Sequence, residues 1–308
     1  MTKLEWCRAN ASPAIQQLSD AEVLDYMSST YDKFCVDKEE ITDDLTHTEH
    51  NPINDKMDIM VKILCSYFGD RLAFKGGYML TKLMPETARQ TTDIDFSIQN
   101  SELYQELISV MRRIGDEFIE RGFIASYTVK DVLEKYRSGG MDMFDADGGK
   151  VLGIDIGWHD ITFGTTTTTI DIGAINAFTV ERMLADKITA ILSRKRFRRP
   201  KDIYDLYCIT NCFDFDVNTV NDYILKRTEG AGADWKNFPF DMVVIQEYEK
   251  AYNKLALNSI LKGVVLERPS FGDVLARFNT ICRRLLNPEN KYYWDHTETI
   301  FKSVKKEV

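Results

Sequence analysis

A chain of 308 residues, 44% of them hydrophobic, exceeds one typical domain and can bury a sizeable core, so two compact units or one enlarged unit are expected. The net charge of -9 excludes a general nucleic-acid coat, although a whole-chain sum can conceal a local basic patch. No apolar run approaches the about 18 residues of a membrane span, the N-terminus around Lys3, Glu5 and Arg8 lacks a signal-peptide core, and the six cysteines contain no C-x-x-C pair, which together read as a soluble cytoplasmic protein with reduced thiols.

In chain order, residues 1 to 43 read as a helical opening segment. Ser19 with Glu22 is a capping box, and Val23, Leu24, Met27, Tyr31, Phe34 and Cys35 follow at helical spacing. The run Asp37 to Asp44 and the polar stretch Thr46 to Asn54, with His47 and His50, read as acidic, solvated loop. A helix over Asp55 to Phe68 is expected to end at Gly69, and Arg71 to Lys75 to form a strand leading into Gly76-Gly77 and a short helix that Pro85 stops. Thr92 to Ile98 reads as a strand, Ser101 to Gly122 as a long helix, and Phe123 to Val129 as a strand. After a turn or short helix at Leu133 to Gly140, strand-like pieces follow at Met141 to Phe144, Val151 to Gly157 and Thr165 to Ile172, with the five threonines Thr165 to Thr169 suiting an edge. From Thr179 the pattern is helical: Val180 to Leu192, Pro200 to Thr210, Val217 to Lys226, Met242 to Ala256, Phe271 to Leu285 and Lys291 to Lys302, with a loop at Glu229 to Pro239.

Asp93 and Asp95 lie two residues apart on one strand, so both carboxylates point to the same side of a sheet, with Ile94 and Phe96 on the other. Two like charges so close repel unless a cation joins them, and hard oxygen ligands suit Mg2+ or Mn2+. Gly76 and Gly77 would let backbone N–H groups approach a phosphate at a helix N-terminus. If two metals are to bridge the attacking and leaving oxygens of a phosphoryl transfer, a third carboxylate is needed from a neighbouring strand. Asp155, in Val151-Leu-Gly-Ile-Asp-Ile156, is the first candidate and Asp171, in Thr169-Ile-Asp-Ile172, the second. Arg182, Lys187, Arg194, Lys195, Arg196, Arg198, Arg199 and Lys201 form a local basic run suited to phosphate. His159 and Trp158 read as structural rather than as a base and a stacking platform, because metal-assisted transfer can activate a hydroxyl without histidine.

The ordered set Lys75-Gly76-Gly77, Arg89, Thr92-Asp93-Ile94-Asp95-Phe96, an isolated strand aspartate, Glu181 to Lys187 and Lys201-Asp202-x-x-Asp205-Leu206 resembles the AbiEii/AbiGii family of nucleotidyltransferase toxins, within the DNA polymerase β-like superfamily. The resemblance spans Lys75 to Leu206. It implies an α+β fold with a nucleotidyltransferase-like mixed β-sheet core flanked by helices, divided into a nucleotidyltransferase domain over residues 1–178 with the N-terminal helices and a helical C-terminal domain over residues 179–308. It implies a toxin of a bacterial toxin–antitoxin or abortive-infection system, opposed by a cognate antitoxin, that transfers NMP from an NTP to an RNA or protein acceptor, the tRNA acceptor end included. By the same resemblance Asp93, Asp95 and Asp155 would hold Mg2+ or Mn2+. Lys75, Gly76, Gly77, Tyr78, Lys187 and Arg194 would meet the nucleotide, and Asp202 would join the site. Two positions depart from the family pattern: Tyr78 replaces a small hydroxyl residue, and Lys201 replaces an arginine, giving a point charge instead of a bidentate fork. Tyr78 motivates the alternative of an inactive nucleotide- or partner-binding protein of the same fold.

Overall fold

The alternation of polar and apolar side chains in Asp93–Ile98 is realised as strand β2, which lies at the centre of a seven-stranded mixed sheet. The computed structural model describes residues 2–11, 16–35, 52–99, 102–130, 138–193, 200–228, 233–257, 269–286 and 292–303. The other strands of the sheet are β1 (Leu72–Lys75), β3 (Ser126–Lys130), β4 (Ser138–Phe144), β5 (Lys150–Trp158), β6 (Thr165–Ile170) and β7 (Gly173–Phe178), in the spatial order β3-β4-β5-β2-β1-β7-β6. The β2–β5 and β1–β7 pairs are parallel and the rest antiparallel. The threonine strand is an edge, as its β-branched, half-solvated pattern predicts.

One face of the sheet is apolar. Phe74, Ile94, Phe96, Ile98, Leu152, Ile154, Ile156, Met141 and Met143 are buried there. Helices α3 (Pro52–Phe68) and α5 (Glu102–Glu120) pack at the sheet. Upstream, α1 (Lys3–Asn10) and α2 (Asp20–Cys35) pair through a separate small cluster of Cys7, Ala11, Val23 and Met27, and the Ser19–Glu22 capping box is present. The short helix α4 (Gly76–Leu83) follows β1 directly.

Beyond the sheet come α6 (Val180–Ile191), α7 (Pro200–Cys212), β8 (Phe215–Asp216), α8 (Val217–Arg227), α9 (Met242–Leu257) and α10 (Phe271–Leu285), then β9 (Tyr292–Asp295) and β10 (Ile300–Ser303). Their buried side chains are continuous with the core of the large sheet. Among the described residues, Cys65, Cys208, Cys212 and Cys282 are free thiols.

One strand is added to the expected set and one expectation is corrected. Gly173–Phe178, unassigned from its sequence, is a strand at the inner side of the threonine edge, although its Gly, Ala and Asn content carries little strand signal. Parallel pairing of Phe74 with Ala177, and the Asn176 amide donating to the Leu72 carbonyl at 2.9 Å, hold it. Residues 291–302, expected to be helical, contain the β9–β10 hairpin, which joins β8 in a three-stranded sheet. Its aromatic run Tyr292-Tyr293-Trp294 suits a pleated surface better than a helix. The acidic run, His47 and His50 lie outside the described residues, as does most of the stretch before β4.

Trp294 anchors that small sheet. It is fully buried, stacks on Phe215, and donates from Nε1 to the Thr210 carbonyl at 2.7 Å, at the C-terminal end of α7. Replacing it with alanine should cost about 3–5 kcal/mol of unfolding free energy in a urea titration, because it opens a cavity and leaves the Thr210 carbonyl only the longer 3.4 Å bond from Arg277, whereas Ile300→Ser on the exposed strand should stay within about 0.5 kcal/mol.

Candidate active site

The second face of the sheet is polar because of strand register. Asp95 of β2 is opposite Asp155 of β5 on one side and Lys75 of β1 on the other, while Asp155 is opposite Gly140 of β4. One row up, Asp142, Gly153 and Asp93 are in line across β4, β5 and β2. Three carboxylates of the sequence motif therefore share one face with a fourth, Asp142. Glycines stand between them. A Cβ on Gly76 would overlap the Asp95 carboxylate, one on Gly153 would overlap that of Asp93, and one on Gly140 would strike the Ile154 carbonyl. Gly76 also has φ +71, so both its backbone and its neighbour exclude a side chain.

Crowding sets the proton affinities. Asp95 is pushed up to about 6 by burial and then by the Asp155 charge, against the pull of Lys75 and Lys201. Asp155 is also raised, by lost hydration and by Asp93. Asp93 is drawn to Lys150, whose Nζ lies 2.7 Å from its Oδ1 and 2.8 Å from Oδ1 of Asp142. The donor set of three hard carboxylates around a glycine floor suits Mg2+ or Mn2+. Among the described residues no three His, Cys, Asp or Glu side chains are yet drawn round a single point. Asp171 is elsewhere: it sits in the β6–β7 turn and binds Lys82 at 2.8 Å, so of the two candidates it is Asp155 that adjoins the Asp93–Asp95 pair.

The glycine turn opens α4 with Lys75 at the N-cap in extended backbone and its side chain making no capping hydrogen bond, and Gly76 of that first turn lies against the Asp95 carboxylate. Lys75 itself leans aside. Its Nζ is 3.4 Å from Nδ1 of His159 and lies over the Phe178 ring. His159 is driven down to about 3 by burial and by Lys75, so its ring is neutral, and its Nδ1 also meets the Ser97 hydroxyl at 3.2 Å. A Cβ at Gly157 would press on this ring. The contacts of the histidine are thus with Lys75 and Ser97. Tyr78 requires a correction: its side chain is wholly buried and its hydroxyl donates to Asp58 at 2.8 Å, so the phenol points into the α3–α4 interface and not at a ligand.

The helical half contributes a buried charge network. Lys187 of α6 donates to Asp202 at 2.8 Å and Asp205 at 2.6 Å, both on α7, and Arg89 grips Asp205 through Nε at 2.9 Å and a terminal nitrogen at 3.1 Å. Burial alone would lower Lys187; the two aspartates outweigh it and hold it fully charged. Arg89 and Lys187 likewise outweigh burial at Asp205 and keep it ionised. Lys201, at the start of the same helix, is held below its ordinary value by burial and by Arg89, and the described residues offer it no ion-pair partner within 4 Å although Asp95 draws on its charge. Arg194 and the rest of the run to Arg199 lie outside the described residues.

The structure thus brings together Asp93, Asp95, Asp155, Gly76, Gly77 and the N-terminus of α7, and it commits Lys187 and Asp202 to one another. Sequence reasoning missed Asp142 and Lys150. The signal for the first was its alternation with Met141 and Met143; Lys150, ending the Asp147-Gly148-Gly149 turn, gave none.

A family model described as the nucleotidyl transferase AbiEii toxin of a type IV toxin–antitoxin system matches residues 58–280. No curated protein sequence matches. Among solved structures, the chain is similar to JHP933 from Helicobacter pylori, with a TM-score of 0.47 and 12% identity over 79% of this chain and 97% of that one. It is similar too to a candidate nucleotidyltransferase from H. pylori, with a TM-score of 0.47 and 11% identity over 82% of this chain and 97% of that one.

Two outcomes are expected of the charges described. The proton that relieves Asp95 is retained by the folded state up to about pH 6 but by the unfolded chain only to about 3.8, so the cost of its ionisation grows between those values and is complete above them. In chelator-containing buffer Asp95→Asn should therefore melt about 2–4 °C above wild type at pH 7.5, with the gap closing as pH falls toward 3.8. Asp205→Ala should instead cost about 3–5 kcal/mol in urea unfolding, because it leaves two buried cations short of their shared counter-charge.

Proposed function

Because the chain belongs to the AbiEii nucleotidyl transferase toxin family of type IV toxin–antitoxin systems, we propose that it transfers the nucleotidyl group of an NTP to an RNA or protein acceptor, with the tRNA acceptor end among the RNA candidates. The observation that carries this reading is the register of Asp95 against Asp155 beside the glycine turn, which gathers carboxylates and uncapped N–H groups at one place.

In the reaction an acceptor hydroxyl oxygen attacks the α-phosphorus and gives up its proton to solvent water, the new O–P bond forms as the bond to the bridging oxygen breaks, and pyrophosphate leaves with the electron pair. Asp93, Asp95 and Asp155 would hold a divalent cation, which when bound polarises the phosphate oxygens and acidifies the attacking hydroxyl. The first N–H groups of α4, at Gly76 and Gly77, receive phosphate oxygens, and the helix dipole favours their charge. Lys201 supplies the positive charge facing the polyphosphate, since it is held near Asp95 without a carboxylate of its own among the described residues. Lys187 acts with Asp202, Asp205 and Arg89 as the brace that sets α7, and hence Lys201, over the sheet. A cognate antitoxin is the expected protein partner. No helix among the described residues is long and apolar enough to cross a membrane.

Incubated with labelled NTPs, Mg2+ and total RNA or protein, the wild type should label an acceptor, and Asp95→Asn should label it about 10²–10³-fold less. Lys201→Met should raise KM for the NTP about tenfold or more, as expected for losing a charged partner of a phosphate. Expression of the wild type should arrest growth and that of Asp93→Asn should not. Equal labelling by wild type and Asp95→Asn would remove the enzymatic reading.

A further inference from the structure

The acidic face carries a cation of its own. Lys150 Nζ stands between two carboxylates, 2.7 Å from Oδ1 of Asp93 and 2.8 Å from Oδ1 of Asp142, and Lys130 closes the series at 2.6 Å from Oδ2 of Asp142. The four charges alternate in sign across four adjacent strands, β3, β4, β5 and β2. Gly153 makes the reach possible. A Cβ there would come within 2.8 Å of the Lys150 ammonium and 2.9 Å of its Cε. Lys150 and Asp93 keep 36% and 34% of their side chains exposed, so the contact is open to exchange with an ion from solvent.

We propose that Lys150 is the resident counter-cation of the carboxylate cluster: it competes with the divalent cation for Asp93 and is received by Asp142 when that cation binds. The inference rests on the reading of Asp93, Asp95 and Asp155 as the metal-holding set. One ammonium already touches both acceptors, so the hand-over asks only for a side-chain shift away from Asp93, with no movement of the backbone. While Lys150 is on Asp93, the four charges sum to zero. Once Asp93 turns to the metal, Lys130, Asp142 and Lys150 are left with one net positive charge at the edge of the site, the sign that suits an incoming polyphosphate. A purely structural brace would give the opposite response to substitution, since its loss would loosen the carboxylates and weaken the cation's hold.

Isothermal titration of the full chain with Mn2+ alone, without nucleotide, tests this. Lys150→Gln should bind Mn2+ about fivefold more tightly than wild type, the worth of one partly exposed ion pair, and Lys150→Arg should stay close to wild type. Asp142→Asn should bind more weakly, because the ammonium then has Asp93 alone, and the same substitution made in the Lys150→Gln background should have no effect, which separates Asp142 as a holding site from Asp142 as a metal ligand. Melting curves in chelator establish that each variant is folded. Equal or weaker Mn2+ binding by folded Lys150→Gln, with wild-type binding intact and abolished by Asp95→Asn, overturns this inference alone. Absence of Mn2+ binding in both wild type and Lys150→Gln overturns it together with the metal-binding reading.

Discussion

Repulsion between carboxylates at adjacent registers of β2 and β5 is the constraint around which this chain is arranged. Two aspartates on one strand face and a third directly across the parallel neighbour cannot all be ionised and buried without compensation. The compensation is of three kinds. Glycines at 76, 140 and 153 remove the Cβ atoms that would otherwise crowd the carboxylates or the strand beside them. Lysines at 75, 150 and 201 lend positive charge from the neighbouring strand, the same strand and a helix of the other half. The remainder appears as the raised proton affinity of Asp95 and Asp155, which a divalent cation would relieve.

The second network has a different character. Lys187, Asp202, Asp205 and Arg89 are nearly withdrawn from solvent and mutually satisfied. A buried set of this kind adds little net stability over an apolar packing of equal volume, yet is costly to break singly. Its value here is positional. Arg89 lies just before β2 and Asp205 on α7, so their bidentate contact fixes a helix of the C-terminal half against the segment that delivers the carboxylate strand. Tyr78 plays a parallel part on the other flank, where its bond to Asp58 locks α4 onto α3 and lets a bulky residue occupy the glycine turn without entering the site.

Much of this was legible in the sequence where a local pattern has one physical solution. A glycine pair before a helix, aspartates at strand spacing, an isolated aspartate in an apolar frame and a capping box all fold as read. Choosing between Asp155 and Asp171 needed register, because both sit in similar apolar frames and only pairing across strands shows which adjoins Asp95. Strand β7 was illegible because its pairing, rather than its composition, makes it a strand, and the β9–β10 hairpin because its apolar spacing also fits a helix. Lys150 and Asp142 were illegible for another reason: their contact spans two strands, and no spacing rule announces an ion pair between them.

The Arg89–Asp205 contact joins residues 116 positions apart, whereas Asp93 and Asp95 are near neighbours in the chain. Contacts of such separation close only after the intervening loop entropy has been overcome, and during synthesis they cannot form until the later residue has left the ribosome. A nascent chain that has exposed the sheet motif but not α7 would possess its carboxylates while lacking both the brace and Lys201. Assembly of the site therefore waits on α7, residues 200–212, and a chain broken off before that helix would carry the carboxylates without the cation and the brace that accompany them in the folded protein.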